Sequence, residues 1–188
     1  MLDVIDHLAG HPPPALRREE ARRQAQASFD ALFAPIDPAG FSLAERLAVA
    51  TFVAALHNQP DAKRFYAERL LAADPSLGEA VALAALQAAQ AAPSGPVGSY
   101  PAGPLSAEDR PAPPTRTDPA GLGAKLAAAF DHAHMLLFHP RDASPAHMRA
   151  LVAAGWTTPA IVTLSQLVAF LSFQIRVAAG LRAMTAAA

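Results

Sequence analysis

Eight prolines crowded between Pro93 and Pro119 cut this chain into two helix-bearing stretches. Proline donates no backbone hydrogen bond and its ring clashes with a preceding helical turn, so the segment leaves no room for a regular element. The expected organisation is a single domain over 1–188, with amino-terminal helices in 1–92, a Pro/Gly-rich connection in 93–119 and carboxy-terminal helices in 120–188. A connection of this length inside a compact domain either links passively or wraps a groove or a neighbouring subunit. On both sides of it the chain is rich in alanine, with 52% hydrophobic but only 6% aromatic residues. That balance favours helices packed closely through small side chains over a β-sandwich. The expected fold is therefore all-α, an antiparallel bundle of about seven helices.

Caps and breakers mark out those helices. Pro12-Pro13-Pro14 sets up a first helix whose apolar face is Leu16, Ala25, Phe29, Leu32 and Phe33, and which ends before Pro35 and Pro38. Its other side, Arg17, Arg18, Glu19, Glu20, Arg22 and Arg23, reads as a solvated charge face. Ser42 and Glu45 form a capping box opening a central helix that is apolar on nearly every side through Leu43, Leu47, Val49, Phe52, Val53 and Leu56. His57-Asn58-Gln59-Pro60-Asp61 breaks it, with Asp61 as cap of a helix through Leu71. Asp74-Pro75-Ser76 starts another that runs to about Ala92. Beyond the connection, Leu126, Phe130, Ala133, His134 and Leu137 share a face up to Pro140. Ser144-Pro145 caps a short helix ending at Gly155, and Thr158-Pro159 starts a long final one.

Composition also excludes function classes. Fifteen basic against sixteen acidic residues give a formal charge of −1, so no broad field points to nucleic acid or an anionic membrane surface. Met1 to Gly10 carries Asp3 and Asp6 where a secretory peptide needs basic residues, which argues for a cytoplasmic protein. The apolar run from Ile161 to Leu181 is broken by Thr163, Ser165, Gln166, Ser172, Gln174 and Arg176, and reads as a buried helix, not a membrane span. With no cysteine, the chain supplies no disulfide, no cysteine-ligated zinc and no thiol nucleophile.

Two stretches carry a family resemblance. Ala153-Ala154-Gly155-Trp156-Thr157-Thr158-Pro159-Ala160-Ile161-Val162, followed by Leu167 to Leu181, is similar to the carboxy-terminal helix pair of the carboxymuconolactone decarboxylase and alkylhydroperoxidase D superfamily. Leu43-Ala44-Glu45-Arg46-Leu47-Ala48-Val49-Ala50 through Ala54-Ala55-Leu56-His57-Asn58 resembles the helix leading into that family's active site. The nearest branch is its peroxidase-related proteins, and the likeness covers Phe41 to Leu71 and Leu122 to Leu181. The resemblance implies an alkylhydroperoxidase D-like bundle that assembles into a homo-oligomer. In such proteins a helix Glu precedes Cys-x-x-Cys and a His, and the thiols reduce peroxide while Glu and His relay protons. Here the cysteine positions fall on Gln59 and Ala62 and the histidine position on Tyr66 when counted from His57-Asn58. Strict counting from Glu45 gives His57, Pro60 and Arg64 instead. Neither register supplies a thiolate.

What remains is a set of polar side chains. Glu45, His57 and Tyr66 compose an acid-base set suited to a thiol-independent decarboxylase- or lactone-type reaction on a small organic acid, and His134 could join it from across the bundle. Capping is the competing role of Glu45. His132, His134 and His139 do not chelate a metal as any pair: residues two apart point about 200° apart on a helix, and seven apart lie about 10.5 Å apart along it. No metal and no cofactor are expected. Arg176 interrupts the final apolar helix, so it either pairs with Asp131 or Glu45 or binds an anion. Trp156, beside Gly155, reads as an aromatic covering a cap or an interface. The first functional expectation is a cysteine-free binding or partner subunit without thiol peroxidase activity, whose partner is a thiol-bearing paralogue; the acid-base enzyme is the alternative.

Overall fold

The computed structural model describes residues 3–10, 18–95, 97–112 and 115–187. Pro12-Pro13-Pro14, Leu16, Arg17, Pro96, Pro113 and Pro114 lie outside the described residues. Those described form an all-α bundle of α1 (Val4–Ala9), α2 (Glu19–Phe33), α3 (Leu43–Leu56), α4 (Pro60–Ala73), α5 (Gly78–Gln90), α6 (Gly123–Phe138), α7 (Pro145–Ala153) and α8 (Thr158–Ala186). Short 3-10 turns occupy Pro75–Leu77, Pro104–Glu108 and Pro140–Asp142.

α3 is the centre because its small residues let neighbours approach on every side. Ala48, Val49, Ala50, Phe52, Val53 and Ala54 have no exposed surface, and α2, α4, α5, α6 and α8 all pack on them. Leu43, in the first turn, is the exception and stays exposed. Phe52 stacks on Phe130 of α6 with ring centres 4.2 Å apart, and burying each such side chain contributes about 1.5–3 kcal/mol. The capping box forms as spaced: the Ser42 N–H donates to Glu45 Oε2 at 2.8 Å, and the Glu45 N–H donates to Ser42 Oγ at 3.2 Å.

α1 is an element the periodicity does not reveal. The Asp6 N–H donates to Asp3 Oδ1 at 2.9 Å to open it, and Gly10, at φ 74°, closes it. Val4, Ile5 and Leu8 are buried where α1 meets α2, α4 and α8. This docking takes Arg22 out of the solvated charge face, because its guanidinium lies 2.6 Å from Asp3 and 2.7 Å from Asp6. Glu20 and Arg23 remain an exposed pair.

Two caps, those of α4 and α7, differ from their expected form, while α8 starts at Thr158-Pro159 as expected. Asp61 sits in the first turn of α4 and pairs with Arg64 and Arg182, while Gln59 holds the N-cap position. Thr157, the residue before that start, caps α8 through its hydroxyl. Ser144 precedes α7 but its hydroxyl meets His147 Nδ1 at 3.0 Å instead of capping backbone.

Arg46 is buried on α3 with no carboxylate in its hydrogen bonds. It donates to the carbonyls of Phe41, Leu32 and Pro38 at 2.8, 2.7 and 3.1 Å, and so ties the C-terminal end of α2 and the following loop to the central helix. Lys125 makes a second tie, reaching Glu45 Oε1 and the Gly40 carbonyl, both at 2.7 Å. Trp156 is buried there, its Nε1 donating to the Lys125 carbonyl at 2.8 Å and its ring edge-on to Phe41. Its contacts therefore join the first turn of α6 to the segment before α3.

The proline-rich connection wraps the bundle. Among its described residues it forms a 3-10 turn and an antiparallel bridge, Gly98 to Arg110, which composition does not announce. It is tied down along α6 and the following turn: Ser99 N–H to Asp142 Oδ1 at 2.9 Å, Arg141 to the Val97 carbonyl at 3.0 Å, and Thr117 N–H to Asp131 Oδ1 at 2.7 Å. α8, about 44 Å long for its 29 residues, crosses the core and buries Leu164, Leu167, Val168, Leu171 and Ile175. Among the described residues it is the helix long and apolar enough to cross a membrane by length and composition. Its outward side leaves Val162, Phe173 and Met184 exposed.

Candidate functional site

The positions that the resemblance aligns with a Cys-x-x-Cys motif lie at the junction of α3 and α4. His57 ends α3, Asn58 takes a left-handed conformation at φ 52°, and Gln59 and Ala62 stand at the N-cap and third position of α4. Both of these positions do structural work. Gln59 Oε1 accepts from Arg182 at 2.6 Å, and Ala62 is buried. In the other register, Pro60 opens α4 and Arg64 pairs with Asp61 at 2.6 Å.

His57 Nε2 lies 3.2 Å from Ser172 Oγ. The Ser172 hydroxyl spends its hydrogen on the Val168 carbonyl, so the histidine is the donor. Burial, and then the charge of Arg176, lowers the His57 pKa to about 4. Arg176 itself faces solvent with Phe173 and Gly180 on the outer side of α8. The expected ion pair is not formed: Asp131 is held by Thr117 and Glu45 by Lys125.

The structure does not assemble Glu45, His57, Tyr66 and His134 into one site. Glu45 and His57 stand at opposite ends of α3, twelve residues and about 18 Å apart along the axis. Tyr66 is fully buried, stacks on Phe33 and donates its hydroxyl to Gln174 Oε1; burial holds its pKa well above the usual phenol value. His134 is fully buried against Phe138, its ring nitrogens have no hydrogen-bond partner, and burial followed by the influence of His139 lowers its pKa to about 4.

A different group of polar side chains does converge. Between α6, the turn at Pro140, α7 and the wrapping connection lies a cleft of about 390 Å³, lined by Asp131, His132, His139, Asp142 and His147 with Met135, Ala150 and Leu151. That volume falls in the range of about 300–1,000 Å³ usual for small-molecule sites. His132 is 5% exposed, and its Nε2 is 3.0 Å from Ser165 Oγ. Ser165 gives its only hydrogen to the Ile161 carbonyl at 3.0 Å, so His132 must donate from Nε2. Burial, and then the influence of His147, lowers its pKa to about 4. The ring is therefore neutral at pH 7, and its Nδ1 is a bare lone pair without a partner.

The carboxylates of the cleft are fixed by neighbours. Burial raises the pKa of Asp131, opposed by hydrogen bonds from the Thr117 backbone and side chain and by Arg116. Asp142 Oδ2 accepts from His139 Nδ1 at 3.1 Å, which orients that ring. Gly98 passes so close to this carboxylate that a Cβ there would lie 3.2 Å from its oxygens, at a φ of +107° that side chains rarely adopt.

No family model and no curated protein matches this chain. The reading of the site rests on its own geometry. Among the described residues no group of three or more His, Asp or Glu side chains is placed to hold one metal ion. What the cleft wall carries is the Asp131 and Asp142 carboxylates and three histidines, His132, His139 and His147. The sequence pattern points to Asp131 as a partner for Arg176 and does not reach Asp142 or His147. The local spacings His139 to Asp142 and Ser144 to His147 were the available signal, since both pairs join across a single turn.

Proposed function

We propose that this chain is a cysteine-free relative of the carboxymuconolactone decarboxylase and alkylhydroperoxidase D superfamily, on its peroxidase-related side, that lacks thiol peroxidase activity and serves as a binding or partner subunit. The observation that supports it most is the placement of Gln59 and Ala62 at the N-cap and third position of α4. A helix N-terminus presents unpaired N–H groups and a partial positive charge, the setting in which a Cys-x-x-Cys thiolate gains its low pKa. The chain thus keeps a frame suited to a redox pair while Arg182 and core packing occupy the two positions. The same reading takes the protein as cytoplasmic and homo-oligomeric, with Val162, Phe173 and Met184 of α8 as a candidate contact face.

The test is to restore the pair. Wild type is expected to consume no peroxide with a dithiol reductant, and the Gln59→Cys, Ala62→Cys double variant to form a disulfide and turn over peroxide measurably. Affinity purification from the native host is expected to recover a thiol-bearing paralogue. Peroxide turnover by wild type, or a double variant whose thiols never pair, would count against the reading.

A further inference from the structure

We propose that α8 pairs with α8 of a second copy of this chain, antiparallel about a two-fold axis level with residue 171. Val162 then meets the partner's Gly180, Gln166 the partner's Arg176 and Ala169 the partner's Phe173. This gives the homo-oligomeric reading above its partner and its register, and rests on that reading.

The outward side of α8 is regularly spaced. Val162, Gln166, Ala169, Phe173, Arg176 and Gly180 are all exposed and follow one another in steps of four and three. Their mean period of 3.5 residues is the one at which two helices hold a common seam. Gly180 is the position that the single chain does not account for. It lies inside a 29-residue helix, where glycine is less stable than alanine, and its φ is not positive. A Cβ there would meet nothing within 4 Å. Neither a turn nor the packing of the bundle requires a glycine at this point; a side chain arriving from outside does. Gln166 and Arg176 likewise have no hydrogen-bond partner among the described residues.

Size and charge select the register. In antiparallel pairing about residue 171, Val162 fills the space over the partner's Gly180, and Phe173 packs on the partner's Ala169. The Gln166 side-chain carbonyl accepts from the partner's Arg176, a charge-assisted hydrogen bond. Each contact occurs twice, as a two-fold interface demands. Parallel pairing sets Arg176 on Arg176 and leaves a void between two glycines. Sliding the antiparallel pair by one heptad sets Val162 against Phe173 or Ala169 against Gly180, too much side chain or too little. The paired stretch, from Pro159 to Ala183, is about 36 Å long and a helix is about 10–12 Å across, so two copies cover about 700–850 Å². The half-buried Phe170, Val177 and Leu181 add to this at the edges. That is the size of a reversible association.

The chain has no cysteine, so introduced thiols report on this contact alone. Gln166→Cys and Arg176→Cys should each fail to cross-link with itself, because like positions then lie about 15 Å apart along the axis. Oxidised as a mixture, they should give a disulfide-linked dimer. Val162→Cys mixed with Gly180→Cys should behave alike, and covers the case in which losing the Gln166 and Arg176 contact prevents pairing. Gly180→Leu adds its side chain in open space, so its thermal midpoint when dilute should not fall, yet it should weaken the dimer about tenfold or more. Sedimentation velocity of wild type from about 5 to about 500 μM should show monomer passing to dimer. Self-linked single variants, absence of the mixed disulfide in both pairs, or a Gly180→Leu dimer as tight as wild type would overturn the pairing and leave a homo-oligomer through another face. A wild type still monomeric at about 500 μM would overturn this inference together with the homo-oligomeric reading. The peroxide and co-purification results judge the rest of the proposed function separately.

Discussion

Replacing His134 with leucine is expected to stabilise the protein, and to do so more strongly in acid. His134 is fully buried and both ring nitrogens lack partners, so the neutral ring hides one donor and one acceptor from water. Each such group costs about 1–3 kcal/mol. Leucine is of similar size and carries no polar atom, and a net gain of about 1–2 kcal/mol at pH 7.5 follows after allowing for imperfect repacking. The acid dependence comes from linkage. Burial and His139 lower the His134 pKa from 6.5 to about 4, so the folded state binds its proton less readily than the unfolded chain. The associated stability is whole above 6.5 and is lost as pH falls toward 4. Between pH 7.5 and 5 the full shift would remove about 2 kcal/mol, which relaxation of the structure around the charged ring reduces to about 1 kcal/mol. The leucine variant escapes that loss, so its advantage should widen to about 2–3 kcal/mol at pH 5. Urea unfolding followed by far-ultraviolet circular dichroism at both pH values measures the difference. A variant less stable than wild type at pH 7.5, or an advantage that does not grow by about 0.5 kcal/mol on acidification, would refute the reasoning.

Two further substitutions probe the polar core. Arg46→Met removes all three bonds to the carbonyls of Leu32, Pro38 and Phe41, and should cost about 3 kcal/mol, read as a fall of about 6–12 °C in Tm; a fall under about 2 °C would show that the loop holds without it. Tyr66→Phe should cost about 1–2 kcal/mol in urea unfolding because it strands the buried Gln174, and adding Gln174→Leu should recover most of that loss; additive losses would contradict the pairing.

The elements legible in the sequence were those with local punctuation. Ser42 with Glu45, Pro60, Pro140 and Pro159 mark ends that depend on a few neighbouring residues, and the helices follow them closely. α1 escaped because six residues offer too short a window for a period to emerge, and its only local signs are Asp3 and Gly10. Arg46 escaped because its partners are main-chain carbonyls, which have no signature in side-chain spacing. Helical geometry separated His132 from His134 correctly, sending one to Ser165 and the other into the core. It could not show that the chain, after Pro140, folds back to bring Asp142 and His147 beside His132. The numerous apolar residues of α8 make Arg176 read as a residue that needs a partner, a carboxylate or an anion; which side of the helix the bundle leaves uncovered is decided by packing alone.

The seam between α1 and α8 has a consequence for how the chain is made. Arg182 donates to the Leu8 carbonyl at 2.8 Å, and the same guanidinium reaches Gln59 and Asp61. A helix of six residues is too short to persist in water without a surface to rest on, and closing so long a loop is slow. On the ribosome, then, Val4, Ile5 and Leu8 are made well before the α8 surface they rest on, and that part of their shelter is missing until Arg182 emerges from the exit tunnel.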